Sequence, residues 1–595
     1  MTDVSQETAI HLPEVNAHAG FVGADACQEC HKSEFDTWHV SYHRTMTQPA
    51  TPESVVPDFD GVELVSHGRT YRLERRGEEF WVDTISPAAE VRAFLDQKQN
   101  EVENLPRETR QIVMTTGSHR HQTYWMQNAN GTFIQFPWVY HIDTDRWVFR
   151  TNSFLRPETD KVTFNIWNMH CTGCHSTGAA PSIDRSTNTM FSQGELGISC
   201  EACHGPGAEH VAWANTSPKS GDPAIAHPAK MNAQLSGEVC GQCHSMSQIR
   251  NEAHWYTVGN SYRPGQGGFE DVREIYEMKE DVVRETEEFG TSIKTRFWPD
   301  GTIRTGGREH NGLIKSKCYT HGIGDRQMSC LSCHSLHNYH SPNKQLSGTL
   351  SQQQTCQKCH TEEKYNSDLA AHTHHPIDSS ASQCVNCHMP RTSYALFSAT
   401  RSHRIQSPKV RPENEAGQPN ACNLCHLNQT KQWSADHLAS WWQIETPELN
   451  DDEKSIAAGA YWALKGDAAQ RAITAWHYRW DEAKAISGTS WMPPVLTNLL
   501  DDSYFAVRYL AYESLKTLEG YSELNYEPAM TEETRQKLMN EVLGEYAARH
   551  VDLPEDGLQA VPAAQVLLNP SGNSNREIIQ RLVQEQDERP IAIVE

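Results

Sequence analysis

The run Cys200-Glu201-Ala202-Cys203-His204-Gly205-Pro206-Gly207-Ala208-Glu209-His210 joins two thiols three residues apart to an imidazole directly after the second, then a Gly-Pro-Gly turn and another histidine. Its first five residues follow the pattern Cys-x-x-Cys-His, and the 595-residue chain repeats that pattern eight times. The other copies are Cys27-Cys30-His31, Cys171-Cys174-His175, Cys240-Cys243-His244, Cys330-Cys333-His334, Cys356-Cys359-His360, Cys384-Cys387-His388 and Cys422-Cys425-His426. Two thiols at this spacing can add to the vinyl groups of one haem, and the histidine that follows becomes its proximal iron ligand. Structural zinc also uses Cys-x-x-Cys, but zinc ribbons pair two such knuckles and need no histidine after every second cysteine. Sixteen of the seventeen cysteines are used in the pattern, so the expectation is eight covalently attached c-type haems.

Only 37% of residues are apolar and the mean hydropathy is −0.67. Porphyrin rings would supply apolar core that a side-chain count misses. A formal net charge of −24 argues against nucleic acid and anionic membrane surfaces as partners. It reads as a solvated acidic surface, with cationic or metal partners as the sharper alternative. No stretch approaches the roughly 18 apolar residues of a membrane span. Residues Met1 to Gly20 have neither the basic start nor the apolar run of a signal peptide. Covalent haem attachment implies periplasmic maturation, so the chain is expected to be exported, to the periplasm or beyond the cell, with its leader outside this numbering.

Motif spacing suggests six segments: an arm over 1–20, haem 1 with a β-rich insertion over 21–160, haems 2–4 over 161–250, an insertion over 251–325, haems 5–8 over 326–430, and an α-helical domain over 431–595. In the first insertion, Val62 to Val65, Thr70 to Glu74 and Phe80 to Asp83 alternate apolar and polar residues around an Arg-Gly-Glu-Glu turn, the pattern of a small antiparallel sheet. A second strand-rich stretch runs from Gln122 to Phe149. Ser407 to Pro419, with three prolines and a glycine, reads as a linker. Beyond Trp433, Leu496, Leu499, Leu500, Val507, Ala511 and Leu515 fall on helix faces either side of Asp501-Asp502, with Pro493-Pro494 at the start, a HEAT-like hairpin. Ile456 to Trp476 reads as an earlier, degenerate one. The expected fold class is a multihaem cytochrome c with a mostly irregular and α-helical haem-wrapped core, a small β-rich insertion and an α-helical HEAT-like C-terminal domain.

The motifs account for one face of each iron. On the other face a second histidine gives a low-spin carrier, and an open position gives a reaction site. Eight of the 31 histidines are proximal, which leaves 23 candidates. His210 follows the third motif after Gly-Pro-Gly, a turn that lets the chain double back near that haem. His43 follows the first motif, His337 the fifth, and His403 sits among Arg401 and Arg404, placed to meet haem propionates. His372, His374 and His375 precede the seventh motif, with His375 taken as the candidate ligand. His121, beside His119 and Arg120, completes the candidate set. His170, His254, His310 and His340 stay open, and His11 and His18 lie in the arm, from which a haem of a neighbouring subunit could be ligated. Cys318, the odd thiol, reads as a small buried apolar residue or, alternatively, a haem-adjacent reactive thiol.

The stretch from Cys200 to Val211 resembles a hallmark of the multihaem cytochrome c superfamily that includes cytochrome c-554, hydroxylamine oxidoreductase and pentahaem nitrite reductase relatives. Trp167-Asn168-Met169-His170-Cys171, Asn386-Cys387-His388-Met389-Pro390 and Asn311 to Tyr319 resemble a narrower bacterial group that joins a multihaem region to a C-terminal helical-repeat region. The resemblance spans roughly residues 20 to 520 and implies periplasmic or extracellular electron transfer. Octahaem nitrite reductases carry one Cys-x-x-Cys-Lys, whereas all eight motifs here end in histidine, which argues against nitrite reduction of that type. Hydroxylamine oxidoreductase cross-links a tyrosine to its catalytic haem, and no tyrosine here is assignable to that role. Octahaem tetrathionate reductase keeps ordinary motifs with a distal lysine and stays in contention.

The leading functional reading is an octahaem electron carrier, a conduit or polymeric wire, working with redox partner proteins or other multihaem cytochromes. The alternative is a multihaem oxidoreductase acting on a small nitrogen or sulfur oxyanion at one haem with an open distal face. A third makes the C-terminal helices a docking module. Catalytic residues are unassigned, and the leaning is toward electron transfer rather than catalysis.

Overall fold

The computed structural model describes residues 10–96, 104–158, 165–184, 186–288, 293–348, 351–394, 397–549 and 575–593. The chain divides into two compact units. The first comprises Met1–Arg150, Lys161–Ile275 and Met328–Ser351; the second comprises Thr151–Asp160, Tyr276–Gln327 and Gln352–Glu595. Five motifs therefore lie in the first unit and three in the second. The fifth motif, grouped by spacing with the sixth to eighth, lies in the first unit.

Two antiparallel sheets form in the first unit. Strands β1 (Thr47–Pro49), β2 (Glu63–Ser66), β3 (Arg69–Arg76), β4 (Glu79–Ile85), β5 (Arg107–Ile112), β6 (Met114–Thr116), β7 (His121–Gln127), β8 (Phe133–His141) and β9 (Arg146–Phe149) pair in the orders β2-β3-β4-β5 and β1-β6-β7-β8-β9. Alternation drives the first sheet: Tyr71, Leu73, Phe80 and Val82 are buried while Arg72 and Glu74 face out. The β3–β4 hairpin turns at Gly77, whose φ of 65° a side chain with a Cβ rarely adopts. Buried residues of both sheets, including Tyr71 and Phe80 of one and Tyr124, Phe136 and Trp138 of the other, share one apolar cluster.

The rest of this unit is short helices and loops. Helix α1 (Lys32–His39) follows the first motif, α2 (Cys200–His204) is the third motif itself, α3 (Ala208–Ala214) follows the Gly-Pro-Gly turn, and α4 (Ala233–His244) ends in the fourth motif. Glu201, inside the third motif, accepts from the backbone N–H groups of Val22, Gly23 and Gly207 at 2.7–3.1 Å. Glu195 accepts from that of Ala24. Two carboxylates thus pin the first motif's approach to the third motif's segment. The arm is not free over its described part: His11 exchanges hydrogen bonds with Gln127, and Glu14 bridges Gln193. Residues 1–9 of the arm lie outside the described residues.

The second unit is mainly helical: α5 (Leu369–Thr373), α6 (Cys384–His388), α7 (Val410–Ala416), α8 (Ala421–Cys425), α9 (Lys431–Trp442), α10 (Ala458–Lys465), α11 (Ala468–His477), α12 (Met492–Asn498), α13 (Phe505–Leu515) and α14 (Glu532–Arg549). The stretch expected as a linker forms α7 instead. Its Pro412 falls in the first helical turn, where a missing N–H is tolerated, and Gly417 ends it with φ 75°. Asp467 caps α11 by accepting from Ala469 and Gln470 N–H. Helix α11 packs on α10 and α13, and α12 on α13 and α14. Arg471 on α11 forms a bidentate pair with Asp502, at 2.6 and 3.1 Å, with both side chains 1% exposed.

Candidate haem centres

Each motif closes a single helical turn. The histidine N–H donates to the first cysteine carbonyl at His31 (2.9 Å), His175 (3.0 Å), His334 (3.0 Å), His360 (3.1 Å) and His426 (2.8 Å). A turn of this kind brings cysteines three residues apart to one side with the imidazole beside them.

Five motif histidines face a second imidazole across a nearly constant gap. In the first unit the ring centroids of His31 and His210, His204 and His337, and His244 and His43 are each 6.3 Å apart. In the second unit, His388 and His372 are 6.1 Å apart and His426 and His375 6.0 Å. Two metal–nitrogen bonds of about 2 Å in line, with a ring half-width of about 1 Å at each end, require about 6 Å. Direct stacking would bring rings closer, as at His374 and Trp441, 4.1 Å apart. Among the described residues, no group of three or more His, Cys, Asp or Glu converges to hold a metal ion on its own. The donor set is pairs of opposed imidazoles beside pairs of thiols, which fits haem.

The non-ligating ring nitrogens support the same geometry. Nδ1–H donates to a carbonyl at His204 (Ala226, 2.8 Å), His334 (Lys344, 2.8 Å), His388 (Gln406, 3.0 Å), His210 (Pro223, 2.8 Å), His375 (Thr373, 2.6 Å) and His403 (Arg401, 3.0 Å). His43 uses the Gln345 amide oxygen at 2.6 Å. A proton held on Nδ1 leaves Nε2 as the metal-facing lone pair. Burial favours the neutral, ligating form at two of the paired imidazoles: His43 is pushed down to about 4 by burial and then by His244, and His426 to about 4 by burial and then by His375.

His210, His43 and His337 each face a motif histidine from a different segment, not the motif they follow in sequence. A porphyrin plane separates its proximal and distal faces, so a residue a few positions after the proximal histidine stays on the proximal side. His375 meets His426, and His372, which was not singled out from its neighbours, meets His388. His121 lies 4.0 Å from His141, its partner across β7 and β8. Cys318 is half-buried, and burial raises its thiol pKa.

Thiols of different motifs also meet. Cys27 and Cys200, Cys174 and Cys243, and Cys240 and Cys330 in the first unit, and Cys356 and Cys384 in the second, lie close enough to perturb each other's ionisation. Sequence reading did not reveal the buried guanidiniums. Arg273 is 7% exposed, and its Nε has no hydrogen-bond partner. The same holds for the Nε of Arg391, whose guanidinium lies 4.6 Å from the Trp476 ring. Burial pushes Arg401 down to about 10, with Arg391 contributing next. Taking a guanidinium out of water costs several kcal/mol unless it is paired, and Glu482 acts on the half-buried Arg391 and Arg401 only as a secondary influence. Haem propionates are anions suited to meet them.

Motifs, opposed imidazoles and nearby guanidiniums together fit the binding of several c-type haems, the arrangement of a multihaem cytochrome. Residues 151–205, spanning the second and third motifs, match the family model described as Cytochrome c554 and c-prime. The crystal structure of the outer cell wall cytochrome OcwA is similar, with 17% identity and a TM-score of 0.46 over 84% of this chain and 100% of that one. No curated protein matches the chain. Among the described residues, no helix is long and apolar enough to cross a membrane.

Proposed function

We propose that this chain is an octahaem electron conduit, with five covalently attached haems in the first unit and three in the second. The carrying observation is the set of five imidazole pairs at 6.0–6.3 Å, which suits six-coordinate low-spin iron. Bound haem supplies one-electron exchange between ferric and ferrous iron. The chain's own residues hold the vinyl edges by the sixteen motif cysteines, orient the rings through Nδ1–H bonds, and neutralise propionates with buried arginines. His31, His175, His204, His244, His334, His360, His388 and His426 are the proximal ligands in this reading. His210, His337, His43, His372 and His375 are distal, with His121 and His403 as candidates for the remaining centres.

The proximity of thiols from different motifs supports a reading in which attachment site 1 neighbours 3, 2 neighbours 4 and 4 neighbours 5 within the first unit, and 6 neighbours 7 within the second. Haems attached there would have neighbouring edges, as a conduit requires. The helices after His426 form a HEAT-like domain in this proposal. The protein is exported to the periplasm or cell exterior and exchanges electrons with redox partner proteins, other multihaem cytochromes or further copies of itself as a homopolymer.

One observation favours a second reading, an oxidoreductase acting on a nitrogen or sulfur oxyanion. His175 meets no second imidazole within ring-contact distance among the described residues, and its Nδ1 is buried without a hydrogen-bond partner. EPR of the oxidised protein, with haem quantified per chain, separates the two. Eight haems, all low-spin and inert to cyanide and nitrite, support the conduit; a high-spin haem that binds either ligand overturns a purely conducting role.

A further inference from the structure

Two of the distal imidazoles come from one tetrapeptide, His372-Thr373-His374-His375. His372 faces His388 of the seventh motif and His375 faces His426 of the eighth. His374, between them, points elsewhere. His374 caps α5 in the left-handed region, with φ 56° and ψ 27°, a conformation that suits glycine better than histidine. Its ring stacks on Trp441 with centroids 4.1 Å apart and planes within 8°.

That contact belongs to a longer row. Trp433, His437 and Trp441 lie four residues apart on α9, and so share one helix face. Their centroids are separated by 4.4 Å and then 4.9 Å, and Trp433 lies 4.8 Å from the His426 ring. Trp442 meets His372 edge-on at 5.1 Å. One helix therefore touches His426, His374 and His372. A distal ligand that moved relative to α9 would disturb both pairs.

We infer that His374, stacked on Trp441, is a positioning residue that sets the orientation of His372 and His375 together, coupling the coordination of the seventh and eighth haems. The inference rests on the bis-histidine reading given above. Glycine would be the better backbone choice at this φ, so a histidine here exchanges backbone comfort for a ring contact. The His374 backbone N–H still closes α5 through Ala370, so the turn itself does not need the imidazole.

The test uses the full-length, haem-loaded protein and low-temperature EPR with potentiometric titration. His372→Ala and His375→Ala first identify the two low-spin signals by their loss. His374→Gly keeps the left-handed backbone and removes the ring; it is expected to displace both signals and both midpoint potentials from their parent values. Trp441→Ala should displace the same two, and His374→Phe should restore them by restoring the stack. A glycine variant that superimposes on the parent, or moves one centre alone, overturns the inference. A parent in which neither His372→Ala nor His375→Ala removes a low-spin signal instead fails the ligand reading on which it rests.

Discussion

The imidazoles of His372 and His388 lie 6.1 Å apart with their planes within 2° of parallel, whereas His43 and His244, 6.3 Å apart, are twisted by 65°. Axial ring orientation governs the splitting of the iron orbitals, so these centres should differ in EPR even with identical ligands. The twisted pair is expected to give a strongly anisotropic low-spin signal and the parallel pair an ordinary rhombic one. His372→Ala should remove one rhombic component and convert one haem of the proposed eight to high spin. Spin quantification of oxidised parent and variant checks this.

Arg401 donates to the Val385 carbonyl at 2.9 Å and to the Asn386 side chain, holding a guanidinium against the seventh motif, where it acts electrostatically on Cys387. A nearby positive charge disfavours ferric iron, so Arg401→Gln should lower the midpoint potential of that centre. At an effective dielectric near 20 the effect is about 1–2 kcal/mol, roughly 40–90 mV for one electron. Spectroelectrochemistry should show one centre moving negative and the others nearly unchanged.

Asp502→Ala should destabilise the second unit by about 3–5 kcal/mol, because it strands the Arg471 guanidinium in a site 1% exposed. Arg471→Met should cost less, since Asp502 keeps the Tyr504 N–H as a donor at 2.9 Å. Denaturant titration followed by far-UV circular dichroism distinguishes the two; equal losses would contradict the asymmetry.

Glu413 on α7 is 4% exposed, its Oε2 lacks a hydrogen-bond partner, and burial pushes its carboxyl up to about 8. The folded chain therefore retains a proton that the unfolded chain releases above about pH 4.5. Folded binds more protons than unfolded between these values, so stability falls as pH rises from about 4.5 to 8. The total is at most about 4–5 kcal/mol. Glu413→Gln should flatten that slope. Melting temperatures at pH 5, 6.5 and 8 would show it, and a parent curve rising over this interval in step with the variant would refute it.

Local pattern carried much of the architecture. The strands of β2, β3 and β4 lie where alternation over Val62–Asp83 placed them, because a half-buried strand writes its two faces into residues two apart. Helices α12 and α13 flank Asp501-Asp502 because apolar spacing and a proline start are likewise local signals. The Ser407–Pro419 segment misled for the opposite reason: Pro412 breaks a helix interior but is accommodated in a first turn, and composition does not say which position it occupies.

The thiols and imidazoles proposed to attach and ligate each haem are legible in the residues alone, since each Cys-x-x-Cys-His motif is complete within five consecutive positions. The opposite faces are not. His31 meets His210 and His204 meets His337 across separations of 179 and 133 positions, and no local rule sets which of 23 remaining histidines reaches which iron. Only folding decides that, because a proximal ligand follows from bond connectivity in one turn, whereas a distal one follows from which distant segment is packed across the plane that the first leaves open.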